Sequence, residues 1–238
     1  MDKPAADRKA GVVQSLSFDA EWLDACFTFV DTVMKFCQKS VMTELQTPVA
    51  ETLRDKALKA IGGRNLILVG LMGAGKSAIG RMVAAELGIP FIDTDHEIET
   101  VSRMTIAELF AAYGEDEFRA LETRVVGRIL QDGPRVVSTG GGAFINERTR
   151  EEIRNAGLSV WLKADLETLW ERVNKRSHRP LLKTENPKQT LEKLMDSRYP
   201  IYAQADITVV SRNVRKDVMT REVLKAVARL NKENCTDE

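Results

Sequence analysis

The chain has 238 residues, 43% of them hydrophobic and 29% charged, with 35 basic side chains against 35 acidic ones. The hydrophobic share excludes whole-chain disorder, and at roughly 100–200 residues per domain the length fits one domain with an appendage or two small ones. A net charge of zero and a pI near 6.8 argue against a general nucleic-acid binder, which needs a basic surface, but leave room for a local basic pocket.

The N-terminal stretch differs from the rest. Residues 1–15 are mostly small and polar, with no secretory-type apolar run behind Met1. From Glu21 to Phe36, Trp22, Leu23, Cys26, Phe27, Val30, Val33 and Met34 recur at helical spacing and predict an amphipathic helix. The acidic Asp19, Glu21, Asp24 and Asp31 argue against an anionic membrane surface for it, leaving a packing appendage or a partner-docking helix. Met42 is a candidate start site. After Pro48, a second helix is expected over Val49–Ile61, closed by Gly62-Gly63. Residues 1–60 therefore read as an appendage without recognisable chemistry, and 61–238 as the functional domain.

From Asn65 onward, apolar runs alternate with helical patterns. Strands are expected at Leu66–Val69, Phe91–Asp93, Val136–Ser138, Leu158–Leu162 and Ile207–Val210. Helices are expected at Lys76–Leu87, Ile106–Tyr113, Glu115–Leu130, Asn146–Ala156, Leu166–Asn174, Lys188–Tyr199 and Val218–Leu230. Thr105 and Glu108 form a capping-box pattern at the start of one of them. Strands separated by helices imply βαβ crossovers, hence an α/β fold with a parallel sheet and helices on both faces.

Cys26, Cys37 and Cys235 lack C-x-x-C spacing, and His96 and His178 are the only histidines. That composition disfavours a zinc site or a disulfide framework and fits a reducing cytoplasm. No apolar run approaches the roughly 18–20 residues that span a bilayer.

Gly70-Leu71-Met72-Gly73-Ala74-Gly75-Lys76-Ser77 matches G-x-x-x-x-G-K-[ST], between an expected strand and helix. In such a loop the backbone N–H groups of residues such as Gly73, Ala74, Gly75 and Ala78 turn inward onto phosphate oxygens, aided by the helix N-terminus. Lys76 would bridge the β- and γ-phosphates, and the Ser77 hydroxyl would ligate Mg²⁺. The chain lacks an apolar strand ending in Asp-Glu and an N-K-x-D guanine signature, so a small-molecule kinase is favoured over a motor ATPase or GTPase.

Asp93-Thr94-Asp95 follows the second strand at its carboxyl end, where ligands of open parallel sheets bind. There Asp93 would serve Mg²⁺ and Asp95 would orient or deprotonate an acceptor hydroxyl; capping of the next helix by Asp95 or Thr94 is the alternative. Gly140-Gly141-Gly142 offers N–H groups without side chains, or simply a flexible turn. Arg119, with Glu122 available as an ion-pair partner, Arg179 in the basic run 176–182 and Arg198 before Tyr199-Pro200 could supply donors to anions. Taken singly, each arginine also fits a solvated surface.

In this order, the P-loop, Asp93-Thr94-Asp95, Phe118-Arg119-x-x-Glu122, Gly140-Gly141-Gly142-Ala143, Arg179-Pro180-Leu181-Leu182 and Arg198-Tyr199-Pro200-x-Tyr202 resemble the shikimate kinase family over roughly residues 62–230. The resemblance implies a fold like the nucleoside-monophosphate kinases: a five-stranded parallel sheet between helices, with a mobile lid. It implies transfer of the ATP γ-phosphoryl group to the 3-hydroxyl of shikimate, in chorismate and aromatic amino acid biosynthesis. Carried over by position, Asp95, Arg119, Gly141 and Arg198 would bind shikimate. Arg172 would lie near the adenine, Arg179 would close onto the phosphates, and Ser77 and Asp93 would serve Mg²⁺. Lys76, Asp95 and Arg179 would be the catalytic residues of a cytoplasmic monomer. Gluconate kinases, nucleoside-monophosphate kinases and a non-catalytic nucleotide-binding module are the rival readings.

Overall fold

A computed structural model describes Met34, Lys35 and residues 51–175 and 185–233. The helix expected over Glu21–Phe36 and the run 176–182 with Arg179 and His178 lie outside the described residues, apart from Met34 and Lys35. The chain divides into two compact units, Met1–Ala50 and Glu51–Glu238.

The second unit is built on strands β1 (Asn65–Val69), β2 (Phe91–Asp93), β3 (Val136–Ser138), β4 (Gly157–Lys163) and β5 (Ile207–Val210). All neighbours pair in parallel, in the order β2-β3-β1-β4-β5. Every residue of β1 is buried, as an unbroken Leu-Ile-Leu-Val run requires of a central parallel strand. The helices are α1 (Leu53–Ile61), α2 (Lys76–Leu87), α3 (Thr94–Ser102), α4 (Ile106–Gln131), α5 (Glu147–Ala156), α6 (Leu166–Asn174), α7 (Pro187–Tyr202) and α8 (Lys216–Glu233), with a 3₁₀ turn at Ala143–Ile145.

Strand order fixes the layers. The β1→β2 and β3→β4 crossovers run in opposite directions across the sheet, so right-handed connections put α2 and α5 on opposite faces. Helices α1 and α2 both pack on α8, and α4 packs on α5. Helix α1 thus belongs to the sheet-bearing unit, although composition grouped it with the N-terminal stretch. Its Arg54 guanidinium donates to the Leu87 carbonyl at the end of α2 (3.2 and 3.3 Å). It starts later than the Val49 expected because Thr52 and Asp55 form a capping box there, while Gly62 closes it in the left-handed region.

Four differences from the sequence reading have local causes. Helix α3, weighed in the sequence only as something Thr94 or Asp95 would cap, follows β2 without a loop and is capped by the Asp93 side chain. The two helices expected around Gly114 form one element interrupted there, since Gly114 (φ 80°, ψ 179°) leaves helical space for a single residue. Helix α7 runs through Pro200 to Tyr202 rather than stopping at Tyr199. Strand β4 begins at Gly157, where a Cβ would strike the Asn65 carbonyl of β1.

At the amino edge of the sheet, buried Asn65 ties three segments. Its amide donates to Leu130 O (2.9 Å) and Ala156 O (3.3 Å), and its oxygen accepts from Arg135 N (3.3 Å). Asn65→Leu keeps the volume but strands these backbone groups. It is expected to lower unfolding free energy by about 2–4 kcal/mol in urea titrations while leaving nucleotide affinity of the folded protein unchanged.

Candidate functional site

The P-loop leaves β1 at Gly70 and enters α2 at Lys76. Gly75 is the N-cap in the left-handed region (φ 99°) and gives no side-chain cap, so the first-turn amides of α2 remain available to an anion. Gly73 (φ 83°) is doubly constrained, because a Cβ there would sit 2.9 Å from Val173 Cγ2 and 3.2 Å from Leu169 O of α6. Buried Lys76 folds back over the loop, its Nζ donating to Gly70 O (2.7 Å) and Leu71 O (3.0 Å). The Ser77 hydroxyl lies 3.3 Å from that of Ser138, at the carboxyl end of β3.

Arg172, on α6, reaches the outer side of the same loop. Its Nη1 donates to Gly73 O (3.2 Å), Ala74 O (3.4 Å) and Ser211 Oγ (2.9 Å), and its Nη2 to Arg212 O (2.6 Å). Burial lowers its pKa.

The acceptor side gathers on Gly140-Gly141-Gly142, the turn after β3. Asp93 Oδ1 accepts from the Asp95 amide (3.1 Å), so Asp93, rather than Thr94 or Asp95, caps α3. That frees buried Thr94 to accept from Gly140 N (3.0 Å) and lock the two turns together. A Cβ on Gly140 would lie 2.6 Å from Asp95 Oδ1 and 2.7 Å from Glu122 Oε1, and one on Gly142 would overlap the Arg119 guanidinium. The triplet is therefore a packing requirement as well as a turn. Arg198 Nη1 and the Tyr202 hydroxyl both donate to Gly141 O, the former at 3.1 Å.

Arg119 is held between Glu122 (2.7 Å) and Glu115 (3.1 Å), with its guanidinium 5.2 Å from the Phe118 ring centroid and 5.9 Å from that of Phe110. Burial alone would lower its pKa, but the two glutamates raise it overall, keeping a fixed cation in a half-buried place. The Glu122 side chain is only 3% exposed, and burial pushes its carboxyl up despite Arg119 and Arg198.

Asp93, Asp95, Arg119, Gly141, Arg198 and the P-loop thus meet at the carboxyl edge of the sheet, while Arg172 braces the loop from outside. A Cβ on Gly141 would be 3.6 Å from Met72 N, so this turn and the P-loop are neighbours with no room between them for a larger side chain. Ser138 and Ser211 were missed because a lone hydroxyl has no sequence signature, and Thr94 was weighed only as a helix cap. Tyr202 was findable, four residues after Arg198 and so on the same helix face.

A hydroxyl (Ser77) and a carboxylate (Asp93) form an oxygen donor set suited to Mg²⁺, which takes few protein ligands and completes its octahedron with water and phosphate. Among the described residues, no group of three or more His, Cys, Asp or Glu side chains could hold a metal on its own. No described helix is long and apolar enough to cross a membrane.

A family model described as shikimate kinase matches residues 72–228. A shikimate kinase of Rhizobium leguminosarum bv. trifolii (strain WSM2304) is 74% identical over 193 residues, covering 81% of this chain and 98% of the relative. Another, of Rhizobium meliloti (strain 1021), is 65% identical over 187 residues, 79% of this chain and 97% of the relative. A solved structure of shikimate kinase from Acinetobacter baumannii in complex with shikimate superposes with a TM-score of 0.67 at 35% identity, covering 75% of this chain and 98% of that one. A gluconokinase from Sinorhizobium meliloti 1021, at TM-score 0.51, 20% identity and coverage of 74% and 98%, shares the fold.

Two tyrosines behind the site make an alkaline prediction. Burial pushes the hydroxyls of Tyr199 and Tyr202 from the ordinary 10.0 up to about 12. The unfolded chain releases these protons first, so the stability present below pH 10 is lost as pH rises toward 12. Denaturation midpoints compared at pH 9 and pH 11 should fall steeply for the unaltered protein and less for the Tyr199→Phe/Tyr202→Phe variant. Equal falls would refute this account.

Proposed function

Since the chain belongs to the shikimate kinase family, we propose a division of labour among its residues for ATP-dependent phosphorylation of the 3-hydroxyl of shikimate. The observation that carries the assignment is the meeting of Asp95, Arg119 and Arg198 on one glycine triplet, within reach of the P-loop. An anionic polyol placed there faces two guanidinium groups suited to its carboxylate and one carboxylate suited to its hydroxyls.

ATP phosphates lie in the loop Gly73–Ser77, against the first-turn amides of α2 including that of Ala78. Lys76 swings from the Gly70 and Leu71 carbonyls to the β- and γ-phosphates, exchanging two backbone acceptors for charged ones. Ser77 Oγ and Asp93 would hold Mg²⁺, which would neutralise phosphate charge. Asp95 aligns the attacking hydroxyl and accepts its proton; Arg119 and Arg198 clamp the shikimate carboxylate, with Gly141 beneath the ring. Arg179, outside the described residues, is assigned to the phosphates by its place in Arg-Pro-Leu-Leu. Arg172 borders the nucleotide. Phosphoryl transfer of this kind is mostly positioning and charge stabilisation, which is what this arrangement supplies.

A gluconate or nucleotide acceptor is the rival, and the two-arginine clamp opposite Asp95 favours shikimate. A coupled ADP-release assay offering shikimate, gluconate and AMP separately tests the reading: turnover with shikimate is expected, and turnover only with another acceptor overturns it. Asp95→Ala should reduce turnover by at least about 10²-fold with ADP affinity preserved. Arg119→Ala should raise the KM for shikimate by about tenfold or more, consistent with losing a charge-assisted pair, while the KM for ATP moves little. Roughly a fifth of this chain has no counterpart in the Rhizobium leguminosarum relative, which is itself covered almost completely. The family model matches residues 72–228 and every residue assigned a role lies beyond Gly70, so deletion of residues 1–41 is expected to leave shikimate phosphorylation intact in the same assay.

A further inference from the structure

The outer wall of the P-loop is held by a residue that no part of the six-element pattern contains. Ser211 is the first residue after β5, its amide donating to Lys163 O (2.6 Å), and it is 2% exposed. Its hydroxyl donates to Ala74 O (2.9 Å) and accepts from Arg172 Nη1 (2.9 Å), so both its donor and an acceptor site are used. The same guanidinium touches the Gly73 and Ala74 carbonyls and anchors Arg212 O.

A trans peptide points its C=O and N–H to opposite sides. With the Ala74 oxygen held by Ser211, the N–H of Gly75 points away from Ser211. Gly75 sits at φ 99° and can rotate freely unless its preceding peptide is held. Arginine side chains have several rotatable bonds, whereas the Ser211 hydroxyl is one carbon from a strand end, so it supplies the rigid half of the clamp.

We infer that Ser211 is a positioning residue for nucleotide binding: it fixes the Ala74–Gly75 peptide so that the Gly75 N–H faces a β-phosphate, and it keeps Arg172 against the loop. The assignment rests on the reading that ATP phosphates occupy this loop. It requires the nucleotide constants to depend on Ser211 and the acceptor constants not to, because Arg119 is held by Glu115 and Glu122, and Arg198 reaches the Gly141 carbonyl, on the other side of the site.

The full chain and its Ser211→Ala variant are titrated with ADP by calorimetry, and ATP and shikimate are varied separately in the ADP-release assay. Loss of one buried hydrogen bond to the loop predicts ADP dissociation constant and KM for ATP about five- to tenfold higher, with the KM for shikimate within about twofold. Ser211→Thr, which keeps the hydroxyl, should restore both nucleotide constants. A merely structural role would lower only the active fraction, and so apparent kcat; unchanged nucleotide constants, or equal shifts in the shikimate constant, overturn the inference. Should the alanine variant fail to fold, Ser211→Cys, a weaker donor of similar size, is read by the same criteria. An unaltered chain that binds no ADP or leaves shikimate unphosphorylated refutes the kinase reading instead, so the two failures are told apart.

Discussion

Strand β1 lies between β3 and β4 in parallel register and is buried from end to end, so it has no surface of its own on which to carry chemistry. Whatever this unit does must be done where its strands stop. The carboxyl ends release the P-loop, the Asp93–Asp95 turn and the glycine triplet to one side, and the crossovers carry the chain back to the other. Short ties keep these turns in place: Thr94 to Gly140, Thr139 to the Leu68 carbonyl, Arg198 and Tyr202 to the Gly141 carbonyl.

Charge is handled differently on the two sides of the transfer. On the acceptor side, a buried glutamate and an exposed one fix Arg119 in place, and the cost of burying Glu122 shows in its raised pKa. That cost is tolerable because the partner is half a nanometre or less away and ringed by Phe110 and Phe118, where a guanidinium stacks well. Around the P-loop the positive groups rest on the backbone instead: Lys76 donates to the Gly70 and Leu71 carbonyls, and Arg172 to those of Gly73 and Ala74.

Much of this was legible in the residues alone. An apolar run before a glycine-rich loop admits few structures, and β1, α2, β2, β3, α6 and β5 lie where pattern put them. The glycine triplet and the Asp-x-Asp turn could be assigned to the binding edge because parallel topology sends all such turns there. Less was visible where meaning depends on long-range contact. Arg172 is 99 residues from Gly73, and no spacing rule says that its guanidinium would end on that carbonyl. Asp93 as cap instead of Thr94 or Asp95 was a matter of one or two residues, decided by how directly β2 turns into α3. Pro200 misled for a different reason: proline commonly ends helices, yet α7 continues two residues past it and so delivers Tyr202 to Gly141.

Asn65 stands at the end of β1 opposite Gly70, and its three hydrogen bonds sew together the amino ends of the sheet. The same five-residue strand thus begins in a knot with no exposure to ligand and ends in the phosphate cradle. Substitutions at the knot therefore bear on folding, whereas substitutions at the P-loop and the glycine triplet bear on folding and on ligand contact together, because Gly73 and Gly140 are also pinned by packing.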